Sequence, residues 1–250
     1  MKVKPLIILS LIYVCAFAQS EKNAERRIGL FYSSDYAYRM LKSRDKSEGS
    51  NIAINARNDL EKPLYGFNTG FLISWKFSKR MELQAGIAYS LKGYQIKKQE
   101  VIFGDQIDPR TGVVYQNTAS TSTAFSFKYK YEFIELPVFI NFYLLQKNKF
   151  SLAVKAGIAP ALLVKKTTVL NEYYEDGTKE RKILTDDEVS YNKFNLNGIT
   201  SIGIGYDINK KLQLIVQPQF QYYFISTTAN TSIIEKLYSA GINININYTF

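Results

Sequence analysis

The sequence predicts an all-β protein: an eight-stranded antiparallel up-and-down transmembrane β-barrel. Three observations predict it. The chain divides into eight segments with a strand-like pattern, the even number that single-chain bacterial barrels require. Tight turns alternate with long polar loops, as they do when every strand runs between the same two faces of a membrane. The polar face of the clearest strands uses amides and very small residues, which suit a narrow interior, while the other face is aromatic and branched aliphatic.

The N-terminus opens with Lys2 and Lys4, then an apolar run from Leu6 to Phe17, then the small-x-small triplet Ala16-Phe17-Ala18 before Gln19. These features in this order predict a secretory signal peptide over residues 1–18, leaving residues 19–250 as a single barrel domain. The apolar run is too short to span a bilayer. Cys15 follows Ile12, Tyr13 and Val14, which are bulky where a lipidation site wants small side chains. Cleavage after Ala18 removes this only cysteine, so neither a disulfide nor a thiol nucleophile is expected. It also removes two of 32 basic residues, leaving 30 against 22 acidic and a net of +8. The lysines are spread through loops and strand ends, without a stripe of interleaved aromatics. The expected contacts are therefore water, outer-membrane lipid and lipopolysaccharide phosphates, and not nucleic acid.

The expected strands are residues 27–40, 66–77, 81–97, 125–145, 150–169, 193–208, 212–227 and 237–250. No helical period is found between them, and no run of about 18 apolar residues. The second strand shows Phe67, Phe71, Ile73, Trp75 and Phe77 on one face. Across the turn Ser78-Lys79-Arg80, Lys76 stands opposite Glu82, and an ion pair between them inside the barrel is expected. In the fourth strand the apolar phase runs through Phe125, Phe127, Tyr129, Tyr131 and Phe133, then switches to Leu136, Val138, Ile140 and Phe142. A β-bulge near Phe133 and Ile134, helped by Pro137, is expected to absorb the slip and turn Glu135 inward. Lys128, Lys130, Glu132 and, in the fifth strand, Lys155 are placed on the inward face with it.

The sixth strand has Asn195, Asn197, Ser201, Gly203, Gly205 and Asp207 on its polar face, and the seventh has Gln213, Gln217, Gln219 and Gln221. A solvated outer face on so lysine-rich a chain would carry Lys and Glu, so these residues are assigned to the interior and Leu214, Val216 and Phe220 to lipid. The last strand alternates Ile242, Ile244, Ile246, Tyr248 and Phe250 with three asparagines and Thr249. Its terminal aromatics Tyr248 and Phe250 resemble the C-terminal signal by which barrels are handed to their insertion machinery. Long loops are expected over 41–65, 98–124 and 170–192.

The segment Phe133-Ile134-Glu135-Leu136-Pro137 resembles the Leu-Glu-Ile-Pro type motif of the PorT-like outer-membrane β-barrel family of Bacteroidota. Gly86-Ile-Ala88, Gly157-Ile-Ala159, Gly203-Ile-Gly205 and the terminal Phe250 add to the likeness. The resemblance implies an eight-stranded barrel, mostly of unknown function, with a minority linked to protein secretion.

The sequence contains no histidine, which excludes His-metal sites and any Ser-His or Asp-His arrangement. Glu132 and Glu135 are the carboxylate pair to consider as acid and base, with an interior salt-bridge network as the plainer reading. Asp186-Asp187-Glu188 reads as a solvated acidic loop more readily than as a cation site. No cofactor, metal or enzymatic activity is expected. The functional expectation is an integral outer-membrane barrel of structural or interaction type, associated with a secretion or envelope complex. A small pore or transporter is the alternative, and steady conductance would mark it. A secreted lipocalin-like binder is the second alternative, and an apolar interior would mark it.

Overall fold

The computed structural model describes residues 25–100, 106–107, 114–115, 122–184, 190–229 and 231–250. The signal segment 1–18 and the acidic run 186–188 lie outside the described residues. In chain order the elements are β1 (Glu25–Ser43), α1 (Glu48–Leu60), β2 (Glu61–Lys76), β3 (Met81–Glu100), the two-residue pair β4 (Gln106–Ile107) and β5 (Val114–Tyr115), β6 (Ser122–Glu135), β7 (Val138–Lys147), β8 (Phe150–Tyr174), β9 (Lys179–Leu184), β10 (Phe194–Asp207), β11 (Leu212–Tyr223) and β12 (Ile233–Thr249).

The strands close on themselves. β12 pairs with β1 from Arg27–Thr249 to Ser43–Ile233, and β10 pairs with both β8 and β11, so the antiparallel ring has no open edge. β6 and β7 are successive halves of one stave, since both lie between β3 and β8. Counted that way, the ring has eight staves. The turns around 77–80, 148–149 and 208–211 share one end with both termini of the ring; this is the turn end. α1, the β4–β5 pair and the β8–β9 hairpin belong to the opposite, loop end. β8 has 25 residues, far more than the ~9–11 a tilted strand needs to cross a bilayer. Its last part extends beyond the apolar band, where β9 pairs with Thr168–Tyr173.

Which face is which follows from exposure along each strand. Leu30, Phe71, Ile140, Ile158, Ile204, Val216, Phe220, Ile244 and Ile246 are exposed on the outside, while Asn195, Asn197, Gln213, Gln217, Gln219, Gln221, Asn243, Asn245 and Asn247 are buried inside. An interior of amides and an apolar exterior are the reverse of a lipocalin-like binder. Gly203 and Gly205 make room for this packing: a Cβ on Gly203 would stand 3.0 Å from Gln217 Oε1, and one on Gly205 2.4 Å from Ser151 Oγ. Two apolar groups interrupt the polar lumen. Phe31, Leu72, Phe139 and Ile199 cluster in one part, and Tyr94, Tyr131, Phe133, Tyr223 and Leu237 in another, nearer the loop end.

Three expectations are corrected. First, residues 48–60 form a helix, although no helical period marked them. Its half-buried side is Ser50, Ala53, Ile54 and Arg57, spaced as one helix face but only half apolar. Second, from Tyr131 onward β6 and β7 keep one phase. Tyr131, Phe133, Glu135, Pro137, Phe139, Asn141 and Tyr143 are all buried, whereas Ile134, Leu136, Ile140 and Phe142 are exposed. The apolar odd positions near Phe133 thus face inward, where they supply the aromatic cluster, and Lys128, Lys130 and Glu132 face outward. The register slip lies on β8: Glu132 pairs with Lys165 but Phe133 with Leu163, leaving Val164 as the extra residue. Third, the fourth stave breaks at Leu136–Pro137 without changing phase. Leu136 N–H still donates to the Pro160 carbonyl at 2.9 Å and Gly86 N–H to the Pro137 carbonyl at 3.0 Å, so the ladder continues past the break without the donors that Pro137 and Pro160 lack.

Candidate functional site

An ionised side chain in a narrow lumen is costly unless partners replace the water it has lost. Among the described residues, the lumen holds five buried carboxylates, on Asp35, Glu61, Glu82, Glu135 and Glu235, and four buried cations, on Arg27, Arg39, Lys92 and Lys155. Their partners divide the interior into layers.

At the turn end, Glu82 accepts from Tyr143 Oη at 2.8 Å, Asn141 Nδ2 at 3.0 Å, Gln84 Nε2 at 2.8 Å and Arg27 Nη1 at 3.4 Å. Arg27 also contacts Glu25 and Gln213. The expected Lys76–Glu82 ion pair does not form, although the two residues are opposite in register. Arg27 and three neutral donors already surround Glu82. Lys76 remains at the rim, where its ammonium lies 5.1 Å from the Tyr143 ring centre and 3.4 Å from Gln146 Oε1.

Further in, Lys155 is buried with the Phe139 ring centre 4.6 Å from its nitrogen. Lys92 is ion-paired with Asp35, which also accepts from Ser33. Glu135 accepts from Tyr223 Oη at 2.5 Å and Gln221 Nε2 at 3.1 Å, so neutral donors carry it. Gaps beside Lys155 have a cavity volume of about 10 Å³ each, which is one water and no more.

At the loop end, α1 crosses the mouth of the barrel. Ser47 caps it by accepting from Ser50 N–H at 3.2 Å, and Asp45 accepts from Ser47 N–H at 3.0 Å. The Ser47 N–H and then the Ser43 hydroxyl hold the Asp45 carboxyl well below the usual carboxylate range. Arg57, near the end of α1, bonds Glu61 at 2.6 Å, Glu235 at 2.7 Å and Tyr94 Oη at 3.0 Å. Arg39 on β1 ties the same region down through Glu61 at 2.5 Å, Asn58 Oδ1 at 2.6 Å and the Arg57 carbonyl at 2.9 Å. Glu235 completes its shell with Tyr94, Tyr131 and Thr227 hydroxyls at 3.0, 3.1 and 2.9 Å. Outside this lock lies an open vestibule of about 470 Å³, lined by Ala53, Arg57, Tyr94, Tyr129, Tyr191 and Thr231 among others. None of this was anticipated from sequence: Arg39, the Arg57–Glu61 pair and Glu235 are far apart in the chain, and α1 carries no apolar stripe to announce it.

The remaining expected residues are placed as follows. Glu132 is on the outer surface, accepting from Tyr89 Oη at 2.6 Å, while Glu135 is in the lumen, so the strand wall separates the two carboxylates considered as an acid–base pair. Pro137 marks the stave break. Tyr248 and Phe250 are exposed on the outer face at the turn end. Among the described residues, no three His, Cys, Asp or Glu side chains stand together as a metal site, and no helix is long and apolar enough to cross a membrane.

Residues 17–228 match the family described as Outer membrane protein beta-barrel domain. The chain belongs to that family. This outer-membrane barrel therefore sits in the outer membrane, among lipid and lipopolysaccharide. No curated protein matches it. Among solved structures it is similar to Neisserial surface protein A, with 9% identity over 92% of this chain and 100% of that one and a TM-score of 0.43. It is also similar to the outer membrane protease OmpT from Escherichia coli, at 9% identity, 92% and 99% coverage and a TM-score of 0.47. A third is Ail, the attachment invasion locus protein of Yersinia pestis, at 9% identity, 89% and 99% coverage and a TM-score of 0.34.

Proposed function

We propose that this outer-membrane barrel is a closed structural or interaction barrel rather than a pore or an enzyme. The filled lumen carries the reading: hydrogen-bonded carboxylates succeed one another from Glu82 to Glu235, and gaps near Lys155 are the size of one water. Export with removal of residues 1–18 puts both ends of the ring, and hence the turn end, in the periplasm, with Tyr248 and Phe250 serving the insertion machinery. α1 and the β8–β9 hairpin then face outward, supported by a stave longer than the membrane requires, and supply the surface for envelope or secretion proteins. The Phe133–Pro137 segment supports a PorT-like member of the family. Planar-bilayer recording tests the reading. Purified barrel is expected to give no steady conductance, and a steady open level would overturn it in favour of a pore.

A further inference from the structure

Charge at the turn end is arranged unlike charge elsewhere in the barrel. Each of the three turns brings basic residues close together, as Lys79 with Arg80, Lys147 with Lys149, and Lys210 with Lys211, and Arg26 adds another at the start of β1. All are exposed, and among the described residues none of them is in an ion pair. The two acidic side chains on this rim are already engaged: Glu25 with Arg27 at 2.9 Å, and Asp207 with Gln213 Nε2 at 2.8 Å.

Backbone hydrogen bonds draw two of these turns together. Asp207 N–H donates to the Lys149 carbonyl at 2.8 Å, Thr249 N–H to the Lys211 carbonyl at 2.7 Å, and Asn209 Oδ1 accepts from Lys211 N–H at 2.8 Å. Between them lies a cleft of about 470 Å³ whose lining includes Lys149, Lys210 and Lys211 together with the inward-facing Arg27 and Gln213 and the engaged carboxylates Glu25 and Asp207. The Lys149 ammonium is 6.0 Å from the Tyr206 ring centre and that of Lys211 5.9 Å from the Tyr248 ring centre. Both rings are exposed on the outer face, and Phe150 packs on Tyr206 at 5.1 Å. Rings in that position form the aromatic border of the apolar band, so the Lys149 and Lys211 ammoniums stand at headgroup depth, on the perimeter side of the cleft.

We propose that this cleft binds the phosphate-bearing headgroup of an anionic phospholipid in the leaflet at the turn end, with Lys149, Lys210 and Lys211 as its cations. The perimeter position favours a lipid over an acidic protein docking from below, which would meet the axis of the barrel. A solvated, functionless rim would show no preference among lipids.

The test uses the full barrel in micelles holding equimolar phosphatidylglycerol and phosphatidylcholine, with retained lipid counted by native mass spectrometry. The wild type is expected to retain phosphatidylglycerol over phosphatidylcholine by about tenfold or more. The K149Q/K210Q/K211Q variant, its fold checked by heat-dependent gel mobility, is expected to lose that preference, while K128Q/K130Q/K165Q keeps it. Should the triple variant not fold, K210Q alone is expected to lose about fivefold, the worth of one lysine near a charged surface. Glycerol phosphate in millimolar excess is expected not to displace the lipid. Equal retention of both lipids by the wild type, an undiminished preference in the folded lysine variants, displacement by glycerol phosphate, or an acidic protein retained in place of lipid would each overturn the proposal.

Discussion

The two ends of the lumen solve the same problem with different parts. At the turn end, a buried carboxylate, Glu82, is held by Arg27, Tyr143 and Asn141, all of which belong to the barrel wall. At the loop end, Glu235 is held by two tyrosines and a threonine of the barrel, but its cation, Arg57, comes from α1. The first arrangement fastens wall to wall. The second fastens a separate helix across an open mouth, with a vestibule of about 470 Å³ beside it. A charge cluster can thus stabilise the barrel itself or fix what the barrel displays, and the source of its cation decides which.

The largest effect that sharpens this contrast is expected from Glu82→Leu. It orphans Tyr143 and Asn141 and leaves Arg27 with only Glu25 as an anion; the open cleft at this end reaches Arg27, but the gap beside Tyr143 and Asn141 has a volume of only about 10 Å³, too little for water to replace their lost bonds. A cost of about 3–5 kcal/mol is expected from breaking a buried pair, read as a shift of the urea unfolding midpoint in liposomes. An unchanged midpoint would remove the distinction between the two ends.

Glu235→Leu is expected to cost less, about 1–3 kcal/mol, because Arg57 keeps Glu61 and the vestibule admits water to the tyrosine hydroxyls. Its main consequence is local. Amide hydrogen exchange of residues 48–60 is expected to accelerate about tenfold or more while that of β1 and β12 is unaffected. Acceleration spread evenly over the barrel would mean that Glu235 supports the wall and not the helix.

The smallest effect concerns the start of α1. The Asp45 carboxyl titrates below its unfolded value, so its contribution to the cap is present above about pH 4 and fades as pH falls through that value toward the depressed one. Backbone carbon shifts of residues 48–60 are expected to move toward coil over that range in the wild type and to show no such step in Asp45→Asn. The same step in the variant would assign the pH response elsewhere.

How much was legible in the sequence differs between the same regions. β10, β11 and β12 alternate amide or glycine with aliphatic residues, and there the inward and outward faces read directly. β6 misleads because the lumen at the loop end wants aromatics: Tyr131 and Phe133 pack with Tyr223 inside, so apolar character no longer means lipid. The slip inferred in β6 belongs to Val164 on its neighbour, and pairing between strands cannot be seen from one strand alone. Lys76 opposite Glu82 gave the right register but the wrong partner, since Arg27 reaches Glu82 from a strand fifty residues earlier. α1 stayed hidden because its inner face is held largely by Arg57, a polar residue whose side-chain partners are supplied by β2, β3 and β12.

Trp75 is the only tryptophan and lies on the outward face of β2, beside Ile73 and Phe77 and paired with exposed Arg26. Its fluorescence therefore tests most directly whether hydrocarbon meets the apolar exterior. In vesicles containing phospholipid brominated along its acyl chains, strong quenching is expected, with little from aqueous acrylamide. Efficient quenching by acrylamide with none by the brominated lipid would place that face in water and contradict the account.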